Sequence, residues 1–81
     1  MFKSAEEYDL AKKEILVRIR DGQPFDDLLE NPDYCNVLVD CENIYADGFS
    51  HWNDANGRAH FDILNPRITR LGLEFLKRMD S

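Results

Sequence analysis

At Ile44 the sequence changes its period. Up to that point apolar residues recur at three- and four-residue intervals. Beyond it come two short, aromatic-rich, β-compatible stretches, residues 44–52 and 58–64, separated by Asn56-Gly57. That dipeptide is the strongest short-range hairpin signal, because both central residues of a type I′ turn need positive φ. It commits the chain to an α+β fold with a hairpin set among helices. Such a turn predicts Trp52 opposite Phe61 and His51 opposite Asp62. A bulge near Asp54-Ala55 would shift that register.

The flanking segments read as helices. Ser4-Ala5-Glu6-Glu7 is a capping box, in which Ser4 accepts the Glu7 N–H and the Glu7 carboxylate reaches back to the Ser4 N–H. Tyr8, Ala11, Ile15 and Ile19, with Leu16 beside them, mark the buried stripe of a helix over 5–21, and Gly22 ends it. Pro24 opens a short second helix carrying Phe25, Leu28 and Leu29. Asn31-Pro32 caps and starts a third, with Tyr34, Val37, Leu38 and Cys41 on one face and Asn36, Asp40 and Asn43 on the other. Asn43 suits a left-handed C-terminal position. Asn65-Pro66 ends the second strand, and Thr69 caps a last helix carrying Leu71, Phe75, Leu76 and Met79. Gly72 inside that helix costs about 1 kcal/mol relative to Ala, and a close backbone contact would explain it. Three helices, a hairpin wing and a C-terminal helix make the order of a small winged helix-turn-helix, one domain over 1–81.

The stretch Ile63-Leu64-Asn65-Pro66-Arg67-Ile68-Thr69-Arg70-Leu71-Gly72-Leu73-Glu74-Phe75-Leu76 resembles the winged-helix ending in which an Ile/Leu-Thr pair precedes a helix opening with Gly. Cys41-Glu42-Asn43-Ile44-Tyr45-Ala46-Asp47-Gly48-Phe49 looks like a third helix running into the wing. Together they resemble the YjcQ-like winged-helix proteins of bacteria and phages, which often carry Gly at the Asn43 position. The resemblance implies a fold and carries over no catalytic residues.

Charge is segregated along the chain. Residues 21–57 hold nine carboxylates and no Lys or Arg, whereas the segments on either side are slightly basic, and the net charge is −6. A protein that grips phosphates is usually basic, because Lys and Arg displace condensed counterions. In a DNA-reading winged helix the third helix enters the major groove. Here it offers Asn36, Asp40 and Asn43, with Asp47 just beyond its end. Asn can pair with adenine, and an acid can accept from cytosine. No cation nearby would hold the phosphates, and screening acts only over roughly 8 Å. This disfavours nucleic acid and favours a protein partner or a homodimer, through a surface of Asn36, Asp40, Asn43, Asp47 and Trp52. Trp52, with Phe49 and Tyr45, is expected to cover the helical core. The alternative makes it an exposed interface anchor. In a DNA-binding regulator the contacts would be Asn36, Asn43, Arg58, Arg67 and Arg70.

Other chemistries find little support. Cys35 and Cys41 are separated by five residues and His51 and His60 by eight, neither a zinc spacing. On one helix the two cysteines point about 120° apart. No Gly-rich phosphate loop, His-Glu-x-x-His or nucleophile elbow occurs. The expectation is a non-enzyme without cofactor. No apolar run approaches the roughly 18 residues of a membrane span, the first residues lack a signal-peptide pattern, and two cysteines suit a reducing cytoplasm.

Overall fold

The computed structural model describes residues 2–80; Met1 and Ser81, the ends of the expected 1–81 domain, lie outside the described residues. Helix α1 spans Ala5–Arg20, a 3-10 turn Leu28–Glu30, helix α2 Pro32–Cys41, strand β1 Ala46–Asn53, strand β2 Ala59–Ile68 and helix α3 Arg70–Met79. The molecule is a small α+β domain of three helices and one antiparallel hairpin.

Each helix starts where its cap stands. Ser4 Oγ accepts the Glu7 N–H at 3.2 Å. The return bond differs from expectation, because the Glu7 carboxylate takes the Lys3 N–H at 2.8 Å instead of that of Ser4. Asn31 accepts the Asp33 N–H at 2.9 Å with Pro32 in the first turn. Thr69 Oγ1 accepts the Gly72 N–H at 3.2 Å. Gly22 and Asn43 have positive φ just beyond the ends of α1 and α2.

The second helix is not formed. Only the three-residue 3-10 turn lies between Pro24 and Pro32. Nucleating a helix fixes several residues for one hydrogen bond, and the seven residues between Pro24 and Pro32 leave no length to recover that cost. Side chains hold the segment instead. Phe25 is buried. Arg18 donates from Nη1 to Asp27 Oδ1 at 2.7 Å and to the Pro24 carbonyl at 3.1 Å.

The hairpin departs from its expected register by one residue. Trp52 faces His60, His51 faces Phe61 and Ser50 faces Asp62. The cause is the turn. Asn56 does not have positive φ, whereas Gly57 does, at 77°. The Gly57 N–H donates to the Asp54 carbonyl at 2.9 Å, and the Asp54 N–H to the Arg58 carbonyl at 3.0 Å. This is a three-residue loop ending in a left-handed glycine, a wider closure than the two-residue type I′ turn. Nor does Asn65-Pro66 end the second strand. β2 continues to Ile68 through an irregularity in which Gly48 alone faces Leu64, Asn65 and Pro66. Pro66 has no N–H to lose there. Gly48 has φ +86°, and a Cβ on it would overlap the Asn65 carbonyl.

Ile15, Leu16, Val37, Leu38, Cys41 and Ala46 are fully buried, with Phe25, Phe49, Phe75 and Leu76 closing the core around them. Leu71 of α3 is 52% exposed. Gly72 takes the inward position there, with its Cα face against the Tyr45 carbonyl. The backbone contact inferred from that glycine is thus present. Lys12 is buried, its Nζ 3.9 Å from the Tyr45 ring centroid and 4.6 Å from that of Phe75. Aromatic faces take the place of a counter-ion.

Gly48→Ala adds left-handed strain to a backbone overlap. It is expected to destabilise the fold by roughly 3 kcal/mol or more, read as a lowered denaturant midpoint.

Candidate functional site: the cleft between α2 and the hairpin

α2 buries Val37, Leu38 and Cys41. Its opposite face carries Pro32, Cys35, Asn36 and Val39, one helical stripe without a charge. On the hairpin, alternation sends Phe49, His51 and Asn53 to one face with their partners Ile63, Phe61 and Ala59. The outer part of that face stands across from α2. Between them lies a cleft of about 330 Å³, floored by Leu29 and walled by Pro32, Cys35, Asn36 and Val39 on one side and His51, Asn53, Gly57, Arg58 and Ala59 on the other. A second cleft continues along β2, sharing Leu29, Cys35, Arg58 and Ala59 and adding Asp26, His60, Phe61 and Ile63.

His51 Nδ1 lies 3.0 Å from Glu42 Oε2. A carboxylate can only accept, so Nδ1 carries the proton and Nε2 is left for other partners. The second oxygen, Glu42 Oε1, is buried and has no partner among the described residues. The Cys35 thiol donates to the Leu29 carbonyl at 3.1 Å. Burial pushes its pKa up, and the nearby Arg58 charge offsets this only in part. Burial pushes the Cys41 thiol up to about 11. Both cysteines are free. Among the described residues no hydrogen bond joins Cys35 to His51, and burial favours the neutral thiol.

On the outer hairpin face the Trp52 and His60 rings stack at 4.4 Å between centroids. His60 Nε2 lies 2.8 Å from Asp54 Oδ2. Asp54 Oδ1 accepts the N–H groups of Asn56 at 2.9 Å and Arg58 at 3.0 Å, closing the loop. The His60 bond, aided by these backbone donors, holds the Asp54 carboxyl below the usual carboxylate range. Trp52 is 52% exposed and does not cover the core, which corrects the favoured expectation for it. Phe49 and Trp52 are three apart on one strand and so face opposite ways.

The expected interaction surface is not one surface. Asn36 lines the cleft. Asp40 stands on the flank toward α1 and accepts from the Tyr8 hydroxyl at 2.6 Å. Burial, together with this bond, pushes the Tyr8 pKa up. Asn43 is the exposed left-handed residue past α2. Asp47 Oδ1 lies at the hairpin base, 3.4 Å from Arg67 Nε, an ion pair without hydrogen-bond geometry. Trp52 is on the far side of the tip. Of the residues expected for nucleic acid, only Asn36 and Arg58 meet. Arg67 pairs with Asp47 and Arg70 with Glu74. Lys12 lies in its aromatic cage and Arg20 pairs with Asp21, so these cations form no cluster beside α2 among the described residues. His51, Asn53 and Leu29 were not anticipated. His51 and Asn53 share the strand parity of Phe49, a signal present in the sequence.

Among the described residues no group of His, Cys, Asp or Glu could hold a metal ion, and no helix is long and apolar enough to cross a membrane. No family model, curated protein or solved structure matches the chain.

Near neutral pH, Cys41 is expected to resist a disulfide-exchange reagent until the protein unfolds, and Cys35 to react more slowly than free cysteine; both rates are read by absorbance. The lowered Asp54 pKa sets a second outcome. Its stabilisation of the hairpin loop is present above the ordinary carboxylate range and is lost as pH falls through the folded-state value. Amide exchange, corrected for intrinsic rates, should quicken at Asn56 and Arg58 on acidification, and Asp54→Ala should remove that pH dependence.

Proposed function

We propose that this chain is a non-enzymatic, winged-helix-like module that acts by binding another protein, as a monomer or a homodimer. The element order supports the fold. The 3-10 turn stands where the first helix of a helix-turn-helix would be, α2 where the recognition helix would be, and β1–β2 where the wing would be. The resemblance to YjcQ-like proteins fits the same order and extends the proposal to that family and to a cytoplasmic setting.

One observation carries the choice of partner. The nine carboxylates of residues 21–57 have no Lys or Arg among them, and arginines from elsewhere neutralise only a few. A polyanion approaching α2 meets this field, and a cationic protein surface is attracted by it. A small DNA-binding regulator is the second reading. The guanidinium of Arg58 at the hairpin tip, beside Asn36, is the observation in its favour. The high thiol pKa values speak against nucleophilic catalysis.

The readings part on an affinity column. At low salt the chain is expected to flow through immobilised duplex DNA and heparin. Its protein partner, captured from the native host, should be released by salt and lost when Asp26 and Glu30 are both changed to their amides. Retention on DNA with elution by salt would reject the protein-binding reading. Size-exclusion mass decides between monomer and dimer.

A further inference from the structure

We infer that the cleft between α2 and the hairpin is a binding groove for an extended peptide carrying an acidic side chain, with a basic residue close to it in the peptide. This deepens the protein-binding reading and rests on it. The first support is the set of unused polar groups. Arg18, Arg20, Arg67 and Arg70 are each paired with a carboxylate, and Arg78 is engaged as well. Arg58 has no such partner among the described residues, and it lines the cleft. The carboxamides of Asn36 and Asn53 line it too, and neither makes a hydrogen bond within the described chain. A guanidinium and two carboxamides facing one space present donors in the arrangement that a carboxylate and neighbouring peptide groups accept. His51 Nε2 adds a further polar atom, its ring fixed by Glu42.

The second support is charge. None of the residues lining the cleft is acidic, in a chain of net charge −6. The adjoining cleft, which shares Arg58, is lined by Asp26. A cation and an anion thus stand in sequence along one groove. A single carboxylate followed by a Lys or Arg complements that pair, whereas an unbroken row of phosphates is repelled by the second position. The third support is shape. The two clefts share four residues and together run from α2 along β2 to Asp26 and Ile63, so a chain can pass through rather than end there. A volume of about 330 Å³ with Leu29, Pro32, Val39 and Ala59 in its walls holds one side chain and its neighbours.

The test uses the full chain and a displayed library of random linear peptides. The peptides enriched are expected to share an Asp or Glu next to a Lys or Arg. In NMR titration with a synthetic copy, shifts should concentrate on the side-chain amides of Asn36 and Asn53 and on Arg58. Arg58→Gln should weaken binding at least about tenfold, as for loss of a charged hydrogen bond, and so should Glu→Gln or Asp→Asn in the peptide. Lys77→Gln, on α3, should leave affinity unchanged. No enrichment, a consensus without a carboxylate, or full affinity in Arg58→Gln overturns the groove. Salt-sensitive capture of the host partner that persists in Arg58→Gln leaves the broader protein-binding reading standing while this one fails. A short duplex DNA that shifts the same groups more strongly than the peptides do overturns both.

Discussion

The Ile44–Tyr45 corner is the joint on which the other elements depend. The Tyr45 N–H donates to the Cys41 carbonyl at 2.9 Å and ties the corner to the end of α2. The Tyr45 carbonyl accepts the Thr69 N–H at 3.0 Å, and the Thr69 hydroxyl donates to the Ile44 carbonyl at 2.6 Å. Both bonds fix the start of α3. Gly72 lets that helix lie directly on the Tyr45 backbone. The Tyr45 ring packs on Phe75 and over the Lys12 ammonium, which brings in α1. A two-stranded hairpin is marginal in water on its own. Here its base is clamped between two helix ends, and its inner face lies on the core through Phe49.

That clamp holds the base and leaves the tip standing apart from α2. A hairpin packed flat along the helix would have buried Asn36 and Asn53 without partners, at the cost of desolvating two carboxamides. Both remain accessible at the cleft instead, and Arg58 extends from the loop beside them. The acidic character of the middle segment is uneven in space. Asp40 turns to α1, Asp47 sits at the hairpin base and Asp54 is folded into its own loop. The outward stripe of α2 is neutral. A tally of charge along the chain therefore describes the field around the molecule, and the local chemistry of the groove follows from helix and strand parity.

Much of the fold was legible because its signals are local. Ser4, Asn31 and Thr69 cap helices where they stand, and Gly22 and Asn43 end them. Gly72 announced a close backbone contact. What failed depends on competition between local preference and tertiary contact. Asn56-Gly57 favours a two-residue turn, but the Asp54 carboxylate captures the Asn56 and Arg58 N–H groups and makes a wider loop. That single change moves Trp52 from Phe61 to His60. The 24–31 segment has helical spacing but too little length. The groove was the least legible part, since it joins residues from α2, the 3-10 turn and both strands.

The irregularity opposite Gly48 also bears on what the open edge of β2 can pair with. Each strand of an isolated hairpin offers an outer row of unsatisfied N–H and C=O groups, and such rows can recruit a further strand from another chain. Leu64, Asn65 and Pro66 lie opposite Gly48 alone, which breaks the register of β2, and Pro66 supplies no amide. An incoming strand would lose its ladder halfway along. The interruption that lets Gly48 close against Asn65 thus also shortens the regular edge that β2 could offer to a further strand.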